Sequence, residues 1–266
     1  MRIMCLNGWG GKLHEPLIAF LAEQDPDILC LQEVVHSPAS TNDWLTYRDG
    51  DHVLPQRANF FRDVCAALPH HATTFCPAAK GVLWDDATEV PSQWGLATFV
   101  RQTIPVIGQI QGFVHKEFSA HGYGDHPRSR SAHAIRVFDP DKDRIVTVTQ
   151  MHGLRDLAGK MDTHARATQA KRLLALSEQV SEKDDLRIIC GDFNVEPESE
   201  TLDLLKTAGF TELVTSRGFK TTRNSQYKKA GRFADYMLIN RTAAVRQFDV
   251  IADPEVSDHC PLVLEI

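Results

Sequence analysis

Leu186-Arg187-Ile188-Ile189-Cys190-Gly191-Asp192-Phe193-Asn194 is a short apolar run that stops on a polar, turn-forming tetrad. Its apolar part is too short for a helix with a 3.6-residue repeat and reads as a buried strand. The same pattern recurs along the chain. Met4-Cys5-Leu6 ends in Asn7, and Ile28-Leu29-Cys30-Leu31 ends in Gln32-Glu33. Val146-Thr147-Val148-Thr149 runs on to His152, and Ser257-Asp258-His259 directly precedes the last apolar run. Strand ends in α/β folds gather along a sheet edge, where residues distant in sequence converge. Taken singly, each has a plainer explanation. Gly-Asp-Phe-Asn is a turn, Glu33 a solvated strand end, Ser-Asp-His a cap or surface turn, and His152 a satisfied strand histidine. Their recurrence is what points to one shared site.

Working outward, apolar runs predict strands near 2–6, 28–33, 71–77, 94–101, 104–112, 131–138, 144–152, 186–190, 233–239, 245–251 and 261–265. Arg144–His152 is the most β-like, dominated by Val, Thr and Ile. Helical spacing predicts helices at 15–24, 56–68, 163–180 and 199–207, the third capped by Asp162 or Thr163. Many strands with few helices imply two sheets packed face to face with helices outside. No linker or repeat divides the chain, so residues 1–266 are expected to form a single domain.

Apolar residues make up 42% of the chain, ample for a core, and the net charge is −6. That balance argues against a protein that coats nucleic acid, but not against a local cationic cleft. The six cysteines form no Cys-x-x-Cys pair and read as buried thiols in a reducing compartment. No apolar stretch approaches the roughly 20 residues of a membrane span, and the N-terminus lacks a signal-peptide pattern. The expectation is a cytoplasmic protein with no obligate protein partner evident.

The set Leu6-Asn7-Gly8-Trp9, Leu31-Gln32-Glu33-Val34, Gly191-Asp192-Phe193-Asn194, Asp235-Tyr236 and Ser257-Asp258-His259-Cys260-Pro261 resembles the endonuclease/exonuclease/phosphatase superfamily. The motifs stand in that family's order from Asn7 to His259. The resemblance implies a four-layer sandwich of two mixed β-sheets flanked by helices, and metal-dependent phosphoester hydrolysis. It implies that Glu33 is the principal Mg²⁺ ligand, helped by Asn7 and Asp258, with Mn²⁺ as a substitute. Asp192 and Asn194 would orient the attacking water and hold a phosphate oxygen, or bind a second metal. His259 would be a general base or a cationic phosphate clamp, with Asp235 fixing its tautomer. His152 matches the family's second histidine. Its acidic partner is not identifiable, with Glu89 and Glu117 as candidates. Arg130 is either a phosphate contact or a solvated strand-end arginine. One departure stands out: Trp94-Gly95-Leu96-Ala97 lacks the asparagine that the family often carries there.

The substrate is expected to be a phosphodiester, DNA or RNA among the candidates, with a small-molecule or lipid-headgroup phosphatase or phosphodiesterase on the same site as the alternative and a non-catalytic binder on this scaffold as the last. Specificity is expected in loops 34–56, Lys80–Gln93, Val114–Ser129 and Ser216–Arg232. The last is locally basic, with Arg217, Lys220, Arg223, Lys228, Lys229 and Arg232 around Tyr227. His115, His121, His126 and His133 lack convincing ligand spacing and are read as solvated loop histidines.

Overall fold

The computed structural model describes all 266 residues. Fourteen strands follow in chain order: β1 (Arg2–Asn7), β2 (Ile28–His36), β3 (Trp44–Asp49), β4 (His52–Arg57), β5 (His71–Asp85), β6 (Thr88–Arg101) and β7 (Val106–His115), then β8 (Arg130–Asp139), β9 (Arg144–His152), β10 (Leu186–Asp192), β11 (Thr211–Glu212), β12 (Asp235–Ile239), β13 (Gln247–Val250) and β14 (Leu262–Glu265). The helices are α1 (His14–Gln24), α2 (Phe60–Ala67), α3 (His164–Val180) and α4 (Glu200–Thr207). Thr163 accepts from the Arg166 amide and Ser199 from the Leu202 amide, so both later helices start on a hydroxyl cap.

An eight-stranded sheet has the order β13-β14-β1-β2-β6-β5-β3-β4, and a six-stranded sheet the order β11-β12-β10-β9-β8-β7. Both are mixed: β1 and β2 run parallel, as do β9 and β10, while the other pairs are antiparallel. Period-two alternation sorts the first sheet's two faces. Ile3, Cys5, Ile28 and Cys30 join a core with Ile188, Cys190 and Val148 of the second sheet. Met4, Leu6, Leu29 and Leu31 pack with Leu17, Phe20, Leu21, Phe60 and Val64 of α1 and α2. Leu173, Leu176, Leu202 and Leu205 bring α3 and α4 into the inter-sheet core cluster. The result is helix, sheet, sheet, helix, the expected α/β four-layer sandwich.

Three expectations need correction. The 34–56 region holds the antiparallel hairpin β3–β4. The pattern hides it because only Leu45 is buried in β3, leaving little alternation to detect. The helix placed at 56–68 accordingly starts at Phe60. Lys80–Gln93 is the outer half of the long β5–β6 hairpin, paired in register as far as Asp85 and Thr88. The 114–129 segment is irregular, and it folds back on that hairpin through bridges Ala79↔Ser119 and Lys80↔Gly122.

Candidate active site

Sheet register brings the strand ends together. Asp192 pairs with His152 on one side and with Asp235 on the other, so β9, β10 and β12 end in one row. Across the interface Asn7 pairs with Gln32, the residue before Glu33. Asn7 Nδ2 donates to Asp192 Oδ2 at 3.0 Å and so joins the two sheets at this edge. Ser257 Oγ donates to the Asn7 carbonyl at 2.7 Å and ties the C-terminal tripeptide to the same place. Gly191, at φ +145°, is obligatory here, because a Cβ would stand 2.0 Å from the Met151 carbonyl oxygen.

Local backbone distortion aims the side chains. A bulge between Leu31 and Val34 interrupts the β2–β6 register, and Glu33 within it has φ +55°. Asn194 also has φ +55°. Left-handed conformations at non-glycine residues cost of order 1–3 kcal/mol and gather at functional sites.

His259 Nδ1 lies 2.8 Å from both oxygens of Asp235. Its Nε2 points inward, 3.7 Å from Asp192 Oδ2 and 3.7 Å from Asp258 Oδ1. Burial, and then the Arg223 charge, push the imidazole down to about 4, while burial pushes the Asp235 carboxyl up to about 7. Asp192 Oδ1 accepts from the Asn194 amide at 3.0 Å, and Asn194 Nδ2 donates to the Gly153 carbonyl at 3.3 Å. Arg130 is buried and donates through Nε to that same carbonyl at 2.8 Å, with its guanidinium 5.0 Å from the Trp94 ring centroid. The surface-arginine alternative is therefore excluded. Burial lowers Arg130 to about 10, which leaves it charged at neutral pH.

His152 contacts neither proposed acid, since Glu89 and Glu117 are both exposed. Its Nε2 instead faces Glu33 Oε1 at 3.9 Å and Asp192 Oδ2 at 3.7 Å. Its buried Nδ1 has no hydrogen-bond partner. Burial and the charge of Arg130 hold it well below the ordinary histidine range. Trp94, two residues before the leucine that replaces the family's asparagine, fills the space beside His152 at 5.2 Å.

Glu33, Asp258 and Asn7 supply hard oxygen donors suited to a divalent cation. Two observations fit them to one. Asp258 Oδ1 is buried without a partner. Glu33 is pushed up to about 7 by burial and by repulsion from Asp258 and Asp192, a repulsion that a bound cation removes. Asp192, Asp235 and His259 also bring potential ligand atoms within 4.8 Å of one another. In that group, however, both Asp235 oxygens are directed at His259 Nδ1, the geometry of a carboxylate–histidine pair.

Arg223 was visible in the sequence only as part of a basic loop. It is buried, donates from Nη1 to Asp258 Oδ2 at 2.9 Å, and lies in a bridge with His259. His133, read as a loop histidine, sits in β8 with its Nδ1 2.7 Å from Thr98 Oγ1. Two hollows flank the site. One runs from Glu33 and Arg130 between Trp94, Tyr47 and Tyr123. The other, wider and more open, lies beside Asn194, Lys160, Tyr227 and Lys229.

The Endonuclease/Exonuclease/phosphatase family profile matches residues 4–259. No curated protein matches the sequence. Among solved structures, the mannosyl-6-phosphatase Bt3783 of Bacteroides thetaiotaomicron VPI-5482 superimposes with TM-score 0.69 at 15% identity, covering 100% of this chain and 98% of that one. The human Nocturnin catalytic domain with bound sulfate gives 0.65 at 18% identity, over 99% of this chain and 93% of that one. A humanized D. rerio TDP2 gives 0.62 at 13% identity, over 99% and 97%. At these identities the superpositions establish the shared fold.

Proposed function

We propose, since the chain belongs to the endonuclease/exonuclease/phosphatase family of phosphoester hydrolases, that it hydrolyses a phosphoester by in-line attack of water with Mg²⁺ or Mn²⁺. The observation that carries this reading is the His259–Asp235 pair, with Nε2 turned inward between Asp192 and Asp258. A neutral His259 accepts the water proton at Nε2, while Asp235 holds the Nδ1 proton and balances the charge that forms. Asp192 orients the water, and Asn194, His152 and Arg130 meet the phosphate oxygens. A divalent cation held by Glu33, Asp258 and Asn7 would neutralise charge on the non-bridging and leaving oxygens. The family is typically dependent on divalent metal, in accord with that donor set.

The hollow beside Glu33 favours a substrate with a compact substituent, because Trp94, Tyr47 and Tyr123 line it with aromatic faces suited to a single ring rather than a groove for a duplex. The open side favours a second reading, an unpaired nucleic-acid strand laid past Lys160, Tyr227 and Lys229.

The test is hydrolysis of a panel by wild type and Asp192→Ala, with Mg²⁺ or Mn²⁺ and with EDTA. The panel holds an activated aryl phosphodiester, sugar and inositol phosphates, sphingomyelin, RNA, and single-stranded, duplex and abasic DNA. Metal-dependent turnover of a compact ester, lost in the variant, is expected. Best turnover of a single strand, falling steeply with salt, selects the second reading. Tight binding without turnover of anything overturns both.

A further inference from the structure

We propose that Arg155 contacts a non-bridging oxygen of the scissile phosphate and is a specificity-determining residue of the reaction assigned above, on which this inference rests. Arg155 is the one residue that lines both hollows, the enclosed one that begins at Glu33 and Arg130 and the open one that begins at Asn194. It therefore stands where the two substituents of a phosphate would part.

Two of the neighbouring arginines are neutralised by carboxylates, and the third spends its Nε on a carbonyl while the rest of its fork faces the site. Arg128 is held by Asp49 at 2.9 Å, Arg130 by the Gly153 carbonyl, and Arg223 by Asp258. Arg155 is exposed and makes no ion pair or side-chain hydrogen bond with any protein group.

The loop beneath it is nevertheless fixed. The Leu154 amide donates to Gln169 Oε1 at 2.8 Å, and the Ala158 amide to Asp156 Oδ1 at 2.9 Å. Arg166, 1% exposed, points its guanidinium at the carbonyls of Leu154, Gly159 and Met161. A buried arginine used on three loop carbonyls costs desolvation, and what it secures is the position of this loop. The free cation on a fixed base is suited to a charge-assisted contact with phosphate.

The experiment compares Mg²⁺-saturated wild type, Arg155→Ala and Arg155→Lys. Inorganic phosphate binding is read by calorimetry, and kcat and KM are measured on the best ester of the panel above. In Arg155→Ala, phosphate affinity is expected to fall at least about tenfold and kcat/KM about 100-fold. Lysine recovers part of both, and added guanidinium ion recovers part of the alanine variant's rate. The thermal midpoint stays unchanged, since the side chain is exposed. Phosphate that binds wild type and the alanine variant alike, or kinetics within about twofold of wild type, overturns the inference and leaves the hydrolase reading standing. Arg155-dependent phosphate binding in a protein that hydrolyses nothing overturns the hydrolase reading and leaves the anion contact standing.

Discussion

Two buried polar regions lie within a few residues of each other, and they are built on opposite terms. The first is a ladder between the sheets. Gln32 Nε2 donates to Gln150 Oε1 at 2.9 Å, Gln150 Nε2 donates to Thr98 Oγ1 at 2.8 Å, and Thr98 Oγ1 meets His133 Nδ1. None of these four residues has a buried polar side-chain atom left unpaired. The second region is the sheet edge just beyond it, where Asp258 Oδ1, His152 Nδ1 and Arg223 Nε have no partner. There Glu33 and Asn194 also hold left-handed backbone. A satisfied buried network rigidifies and specifies a fold, whereas unsatisfied charged groups gathered beside left-handed backbone in one cleft are what a ligand completes. The comparison teaches where the molecule is a scaffold and where it is prepared for a ligand.

The sharpest way to break that contrast is to neutralise the edge. Asp192→Asn removes one of the crowded carboxylates, and kcat is expected to fall at least about a thousandfold. Its thermal midpoint, read by calorimetry, should stay level or rise, because functional sites carry destabilising charge. A variant that instead unfolds several degrees early would make Asp192 a structural residue and erase the distinction.

The ladder should respond to acid in the opposite manner, through stability. Burial holds His133 down to about 4, against an ordinary value near 6.5. Below pH 6.5 the unfolded chain takes up a proton that the folded chain refuses. Stability therefore falls as pH drops from 6.5 to about 4, and this contribution levels off below that. The linked loss is at most about 3 kcal/mol. Urea midpoints across this range check it, and His133→Gln should flatten the slope by a comparable amount. An unchanged slope in the variant would put the acid sensitivity elsewhere.

Gln150→Leu deletes the link between the sheets and leaves Gln32 and Thr98 short of a partner. The expected cost is about 2 kcal/mol of stability with kcat within about threefold of wild type. A large loss of kcat at full stability would mean that the ladder belongs to the reaction. At the small end, Lys206→Ala removes an exposed pair with Asp203. It should change neither stability, beyond about 0.5 kcal/mol, nor rate. It serves as the baseline against which both buried regions are judged.

Much of this was legible from residue order alone. The strands that carry Asn7, Glu33, His152 and Asp192 announce themselves as apolar runs ending in polar residues, because a strand buried on both faces has little freedom in composition. The helix caps Thr163 and Ser199 and the turn chemistry around Gly191 are equally local. The motif order then led to the family, and the superpositions agree with the layered fold it implied.

Other features depended on residues meeting across the chain. The β3–β4 hairpin lines the enclosed hollow yet shows almost no alternation, since most of its side chains face solvent or the hollow. Arg223 sits in a basic loop by composition, and only the bridge to His259 sends it to Asp258. His133 looked like one of several loop histidines until register placed it opposite Gln150. The left-handed Glu33 follows from a bulge that no local propensity encodes for a glutamate. Sequence determined the buried strands and which chemistry their ends carry, because burial and turn geometry act over a few neighbouring residues. Tertiary structure decided which of those ends face one another, because sheet order, register and the seating of long loops are set by the packing of the whole chain.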